Sequence, residues 1–168
     1  RGKLMRWYMK KSDAVVFYSG RRKQLVAELM PLHTEKMLIA WNTLATQKFK
    51  KAYESLLRSG KEHTRKELGD SFQAKYNLIF IGRFLPDKGI DTILAVVGQL
   101  AEQLDIAFHF IGKGEVENLI RNHELFDKNI FLHGAIYDDE VSSKYLFASD
   151  LFIMSGYVGL SVLSAFAL

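Results

Sequence analysis

The chain has 168 residues, 48% of them hydrophobic, and a formal net charge of +4, which allows one respectable core and excludes a long array of domains. It contains no cysteine, so disulfides and cysteine-ligated zinc are excluded, and the composition is compatible with a reducing cytosol. No run approaches the ~18 apolar residues of a membrane span, and charge stands at the start, where a signal peptide needs its apolar core.

In chain order, residues 1–11 (RGKLMRWYMKK) mix Leu4, Met5, Trp7, Tyr8 and Met9 with five basic residues. They predict a short basic amphipathic helix, with its apolar stripe expected to pack on its own domain and a membrane or nucleic-acid contact as the weaker reading. Residues 13–19 (DAVVFYS) read as a buried strand, Ser19 as the cap of a helix over 21–30 that Pro31 ends, and residues 36–41 (KMLIAW) as a second strand. A lysine-rich helical pattern over 47–68 follows, broken near Ser59 and Gly60, with Phe49, Tyr53, Leu56 and Leu57 on one face; it reads as a connector.

From Tyr76 the pattern becomes regular. Strands are expected over 76–80, 106–111, 129–132 and 151–154, alternating with helices over 89–104, 116–125, 139–148 and 160–168. Four strand-helix units in succession predict an α/β fold, a doubly wound parallel sheet of Rossmann type with a small strand-helix-strand fragment before it. The expected division is 1–72 for the fragment and connector and 73–168 for the main domain.

The charge is unevenly spread. Residues 1–66 carry 16 Lys and Arg against 5 Asp and Glu, net +11, and the remainder carries 7 against 14, net −7. Arg83 and Lys88 therefore stand out on one loop of an acidic region, at the carboxyl end of the first strand, where open α/β sheets bind ligands. Two solvated charges on a turn are the plain alternative. Gly82 gives that turn freedom, and Asp87 can cap the helix that follows.

The other turns are small. Gly112, Lys113 and Gly114 permit close backbone approach, although a lone GxG is weak evidence. Gly134 and Ala135 end the third strand and suit either a flat ligand or close packing. Asp138, Asp139 and Glu140 favour helix capping over metal binding. Residues 155–161 (SGYVGLS) lead into an uncharged helical segment whose first N–H groups could meet an anion. His109, inside the second strand, reads as a packed core residue. No HExxH, GxSxG, phosphate-loop or dinucleotide fingerprint is present, which argues against a zinc protease, a serine hydrolase and an NAD-dependent dehydrogenase.

Taken together, IGRFLPDKGIDTIL, FHFIGKGEVENLI, NIFLHGAIYDDEV and ASDLFIMSGYVGLSVLSAFAL resemble the C-terminal, nucleotide-sugar-binding domain of retaining glycosyltransferases of two-domain GT-B architecture, family 4 type. DAVVFYSGRRKQL and LIAWNT resemble the end of that family's N-terminal domain. The resemblance implies transfer of a sugar from a nucleotide-diphosphate sugar to a glycan or lipid-linked acceptor in polysaccharide biosynthesis. It implies no cofactor and no metal, no nucleic-acid partner, and a cytoplasmic enzyme able to associate peripherally with the inner face of a membrane.

By resemblance, Arg83 and Lys88 with the backbone of Tyr157, Val158, Gly159 and Leu160 would hold the diphosphate. Gly82, Gly112, Lys113, Gly114, Ala135, Ile136, Tyr137 and Ser164 would border the nucleotide. Two family glutamate positions are occupied here by Gly156 and Ser164, neither of them a carboxylate, so no catalytic residue is assigned. The chain is expected to be inactive alone, and a non-catalytic nucleotide-binding or interaction module is the alternative.

Overall fold

The computed structural model describes residues 2–30 and 34–168, and the chain divides into two compact units, Arg1–Thr43 and Leu44–Leu168. The expected role of Pro31 falls outside the described residues. No described helix is long and apolar enough to cross a membrane.

The smaller unit contains helix α1 (Gly2–Lys11), strand β1 (Val15–Phe17), helix α2 (Gly20–Leu29) and strand β2 (Met37–Ile39). β1 and β2 pair in parallel, Val15 opposite Met37 and Phe17 opposite Ile39. This is the expected strand-helix-strand unit. The Ser19 side chain accepts a hydrogen bond from the Arg22 N–H, capping α2 as its position suggested. The stripe on α1 is a correction: Leu4, Met5, Trp7 and Tyr8 are all exposed. A two-stranded sheet that buries Phe17, Met30 and Met37 offers too little apolar surface to cover them.

The larger unit begins with α3 (Thr46–Ser59) and α4 (Lys61–Leu68), separated at Gly60. Phe49 and Leu56 are buried and Tyr53 meets the Phe147 ring edge-on, whereas Leu57, expected on the same face, is exposed. Leu57 falls one step round the helix from Leu56 and so points away. Four parallel strands follow: β3 (Tyr76–Ile81), β4 (Ile106–Ile111), β5 (Ile130–Leu132) and β6 (Leu151–Phe152). Their spatial order is β5-β4-β3-β6. The intervening helices are α5 (Ile90–Ala101), α6 (Glu117–Arg121) and α7 (Asp139–Ala148), and α8 (Ser161–Phe166) ends the chain.

Alternation along the strands builds two cores. On one face Leu78, Phe80, Phe108 and Phe110 pack with Ile93, Val97 and Ile120 of α5 and α6. On the other, Ile79 and Ile111 pack with Leu146 of α7 and Ala165 of α8. Helices on both faces make the sheet doubly wound, as the sequence predicts. The connector helices belong with this larger unit, so the division falls 29 residues earlier than the expected 72/73 boundary. Arg65 of α4 shows why: it donates to the Ala148 carbonyl at 2.9 Å and to the Asp150 carboxylate at 2.7 Å, at the end of α7 and the entry to β6.

Candidate functional site

The chain runs outward from β3 through β4 to β5, then returns to place β6 on the other side of β3. The crevice at the carboxyl ends of β3 and β6 is therefore the topological switch point, the place where sheets of this kind receive ligands. Two turns meet there, residues 82–89 after β3 and residues 153–160 after β6.

The first turn is shaped by its own core anchor. The Phe84 side chain is fully buried between Phe80 and Phe110, which turns the neighbouring Arg83 outward. The Arg83 side chain is exposed and has no hydrogen bond or ion pair among the described residues. Pro86–Lys88 form a single 3-10 turn, and the N-cap of α5 is Gly89 in left-handed conformation (φ 65°) with no side-chain cap. The expected cap by Asp87 is thus corrected. A left-handed residue is needed to swing the chain from the turn into α5, and glycine takes that conformation without strain.

Lys88 is only 8% exposed. Its Nζ donates to the Tyr157 carbonyl at 2.5 Å and lies 5.1 Å from the centroid of the Tyr157 ring. Two more bonds join the same segments: the Tyr157 N–H donates to the Asp87 carbonyl at 2.8 Å, and the Ser155 hydroxyl donates its one proton to the Gly89 carbonyl at 2.7 Å, with the Lys88 carbonyl a more distant acceptor at 3.4 Å. Gly156 sits against this seam so closely that a Cβ would overlap the Asp87 carbonyl oxygen and the Lys88 backbone. Its lack of a side chain is a packing requirement.

Residues Val158, Gly159 and Leu160 continue the second turn. The Gly159 N–H faces the Met154 sulfur at 3.3 Å and the Tyr157 N–H is engaged with Asp87, so two of the four backbone groups expected to meet phosphate already have partners. Ser164 lies one turn into α8, half-buried, with no side-chain hydrogen bond among the described residues.

Gly112, Lys113 and Gly114 follow β4 and lie on the first turn. The Gly82 N–H donates to Ile111, the Phe84 N–H to the Lys113 carbonyl and the Val116 N–H to the Phe84 carbonyl. A Cβ on Gly112 would overlap the Gly82 carbonyl, and one on Gly114 the Phe84 carbonyl. The close backbone approach read from GKG is thus between two loops. The Lys113 side chain points to solvent. After β5, Gly134 accepts from the Gly112 N–H, Ala135 is half-buried and Ile136 packs on the second core. Tyr137 opens onto a different groove of about 760 Å³, lined also by Lys48, Lys51, Asp138 and Lys144. Asp138 caps α7, accepting from the N–H groups of Glu140 and Val141. Among the described residues no group of three His, Asp or Glu could hold a metal.

Sequence reasoning missed a polar chain beneath these turns. Asn77 Nδ2 donates to the Ala74 carbonyl, which fixes the amide and leaves Oδ1 to accept from His109 Nε2 at 3.1 Å. His109 Nδ1 is then the acceptor for His133 Nε2 at 3.0 Å. The Phe72 ring stacks on His109 at 3.7 Å. Burial holds His109 at a pKa of about 3, with help from the His133 and Arg65 charges, and His133 at about 4, so both are neutral. The usable signal was one polar residue inside each of two predicted apolar strands, Asn77 and His109.

The family model described as glycosyl transferases group 1 matches residues 60–168. No curated protein matches the chain by sequence. Among solved structures it is similar to Anabaena Alr3699/HepE in complex with UDP, at 12% identity and a TM-score of 0.70, over 98% of this chain and 45% of that one. WaaG, a glycosyltransferase involved in lipopolysaccharide biosynthesis, is similar at 17% identity and a TM-score of 0.69, over 90% of this chain and 41% of the other. A glycosyltransferase from Rickettsia africae ESF-5 is similar at 15% identity and a TM-score of 0.67, over 98% and 45%. The chain spans less than half the length of each, and at these identities the likeness extends to the fold.

Proposed function

Because the chain belongs to the glycosyl transferases group 1 family, we propose that it is the donor-binding part of a retaining GT-B enzyme of the family 4 type. Such an enzyme moves a sugar from a nucleotide-diphosphate sugar to a glycan or lipid-linked acceptor, in polysaccharide biosynthesis at the cytoplasmic side of a membrane. One observation carries the reading: the free cation Arg83 and the clasped cation Lys88 share a turn at the switch point, against the segment leading into α8. The family and the bound UDP of the HepE structure support a nucleotide as the ligand.

The chemistry follows from charge. As the glycosidic bond breaks, the leaving nucleoside diphosphate gains negative charge, and fixed cations aimed at it stabilise the transition state more than the ground state. Arg83 can offer a fork of donors to phosphate oxygens and Lys88 a point charge. In this proposal no metal ion takes part, the turns at Gly112–Gly114 and Ala135–Ile136 border the nucleotide, Tyr137 is left to its own groove, and Ser164 lies beside the nucleotide.

Titration of the chain with UDP, GDP and ADP, free and sugar-linked, tests the reading. Weakening of at least about tenfold by Arg83→Ala or Lys88→Ala is expected, and absence of binding by every nucleotide removes the phosphate assignment. The alternative, a non-catalytic nucleotide-binding module, is favoured by Gly156: at this position of the family pattern the local packing leaves no room for a carboxylate side chain. The purified chain is expected to show no transfer, and measured turnover onto an acceptor would overturn that.

A further inference from the structure

Resting on the diphosphate reading of the switch-point site, we infer that Tyr157 is a positioning residue for Lys88, holding the ammonium in one place before the anion arrives. A lysine on a four-carbon stem is flexible, and a charge this buried needs partners in place of water. Tyr157 supplies two of them. Its carbonyl accepts from Nζ, and its ring face lies 5.1 Å away, within cation–π range.

The carbonyl is itself fixed, because the adjoining Tyr157 N–H is held by Asp87 and Gly156 is wedged on the Asp87–Lys88 backbone. One of three ammonium donors is thereby used and two remain for a ligand. A Cβ on Gly159 would stand in ordinary contact with Nζ, at 3.9 Å, so on this side the ammonium is flanked by bare glycine backbone. Tyr157 itself is 73% exposed, so its ring is not there to fill the core. The ordering of Lys88 is complete before binding, and the ligand is spared that entropy loss.

Affinities for UDP and for inorganic pyrophosphate, compared across four variants, test this. Tyr157→Ala is expected to weaken both about fivefold, and Tyr157→Phe, which keeps the ring face, to restore them. In a Lys88→Ala background Tyr157→Ala is expected to have almost no further effect. An equal loss in both backgrounds, or no loss in either, overturns the inference.

A second readout needs no ligand. Acylation of the Lys88 amine by a water-soluble reagent, followed by peptide mapping with the exposed Lys113 as reference, is expected to rise about threefold in Tyr157→Ala. An unchanged ratio overturns the inference. If wild-type chain binds neither UDP nor pyrophosphate, the proposed function falls, and the labelling still decides whether Tyr157 holds Lys88.

Discussion

The two ends of the four-stranded sheet treat charge in opposite ways. At the amino end Asp150 is fully engaged: Arg65 and Lys61 donate to its two oxygens at 2.7 and 2.8 Å, and the Asn77 N–H donates at 2.8 Å. Desolvation pushes that carboxyl up, but the hydrogen bonds from Lys61 and Asn77 and the charges of Lys61 and Arg65 outweigh it, and the pKa is lowered. At the carboxyl end Arg83 has no partner among the described residues, and the Lys88 charge is met by a neutral carbonyl and a ring. The amino end is finished as structure. Arg83 and Lys88 thus keep positive charge at the carboxyl end with no ion-pair partner among the described residues, which is what a binding edge requires.

The largest expected effect would break the loop geometry on which the second half of this comparison stands. Gly112→Ala places a methyl group on the Gly82 carbonyl at φ 147°, and should destabilise the chain by about 4 kcal/mol, read from urea unfolding.

Acid comes next, through the chain of Asn77, His109 and His133 that crosses the sheet beneath the turns. Both histidines have folded pKa values, about 3 and about 4, below the ordinary 6.5 of the unfolded chain. The unfolded state therefore takes up protons first as pH falls. The contribution is fully present above about 6.5 and is lost as pH falls toward the folded values. Between pH 7 and pH 5 the loss is on the order of 3 kcal/mol, and His133→Gln should flatten the slope.

Arg65→Ala probes the amino end directly. It leaves Asp150 and the Ala148 carbonyl short of a donor and should cost about 2 kcal/mol, with UDP affinity unchanged. Arg83→Ala should do the reverse: stability stays within about 0.5 kcal/mol of wild type while nucleotide affinity drops about tenfold, or about 1.4 kcal/mol. If Arg83→Ala unfolded the chain and Arg65→Ala abolished binding, the contrast between the two ends would be wrong.

Local patterns in the sequence carried most of the fold. Strand and helix periods located β3, β4 and α7 closely, and side-chain chemistry identified the caps at Ser19 and Asp138, because each of these is decided within a few residues. Long-range contacts were not legible. Arg65 meets Asp150 across 85 residues and Lys88 meets Tyr157 across 69, and no periodicity encodes such a pairing. The glycines at 112, 114 and 156 were visible as small residues, but only the structure shows that backbone lies against them. The sequence points to Asp87 as a cap because a carboxylate before a helix usually is one, but the left-handed Gly89 stands between them.

The strand order also dictates how the chain must assemble. Tyr76 meets Ile106 after 30 residues and builds a six-residue ladder, whereas Leu78 waits 73 residues for Leu151 and gains a ladder of two. The longer closure costs about 0.8 kcal/mol more in chain entropy and returns fewer bonds. On this ground β6 is expected to dock late and open early, and its amides should exchange with deuterium before those of β3 and β4. The crevice holding Lys88 has β6 as one wall, so it exists only once the sheet is complete, and a ligand bound there would stabilise the docked state of β6.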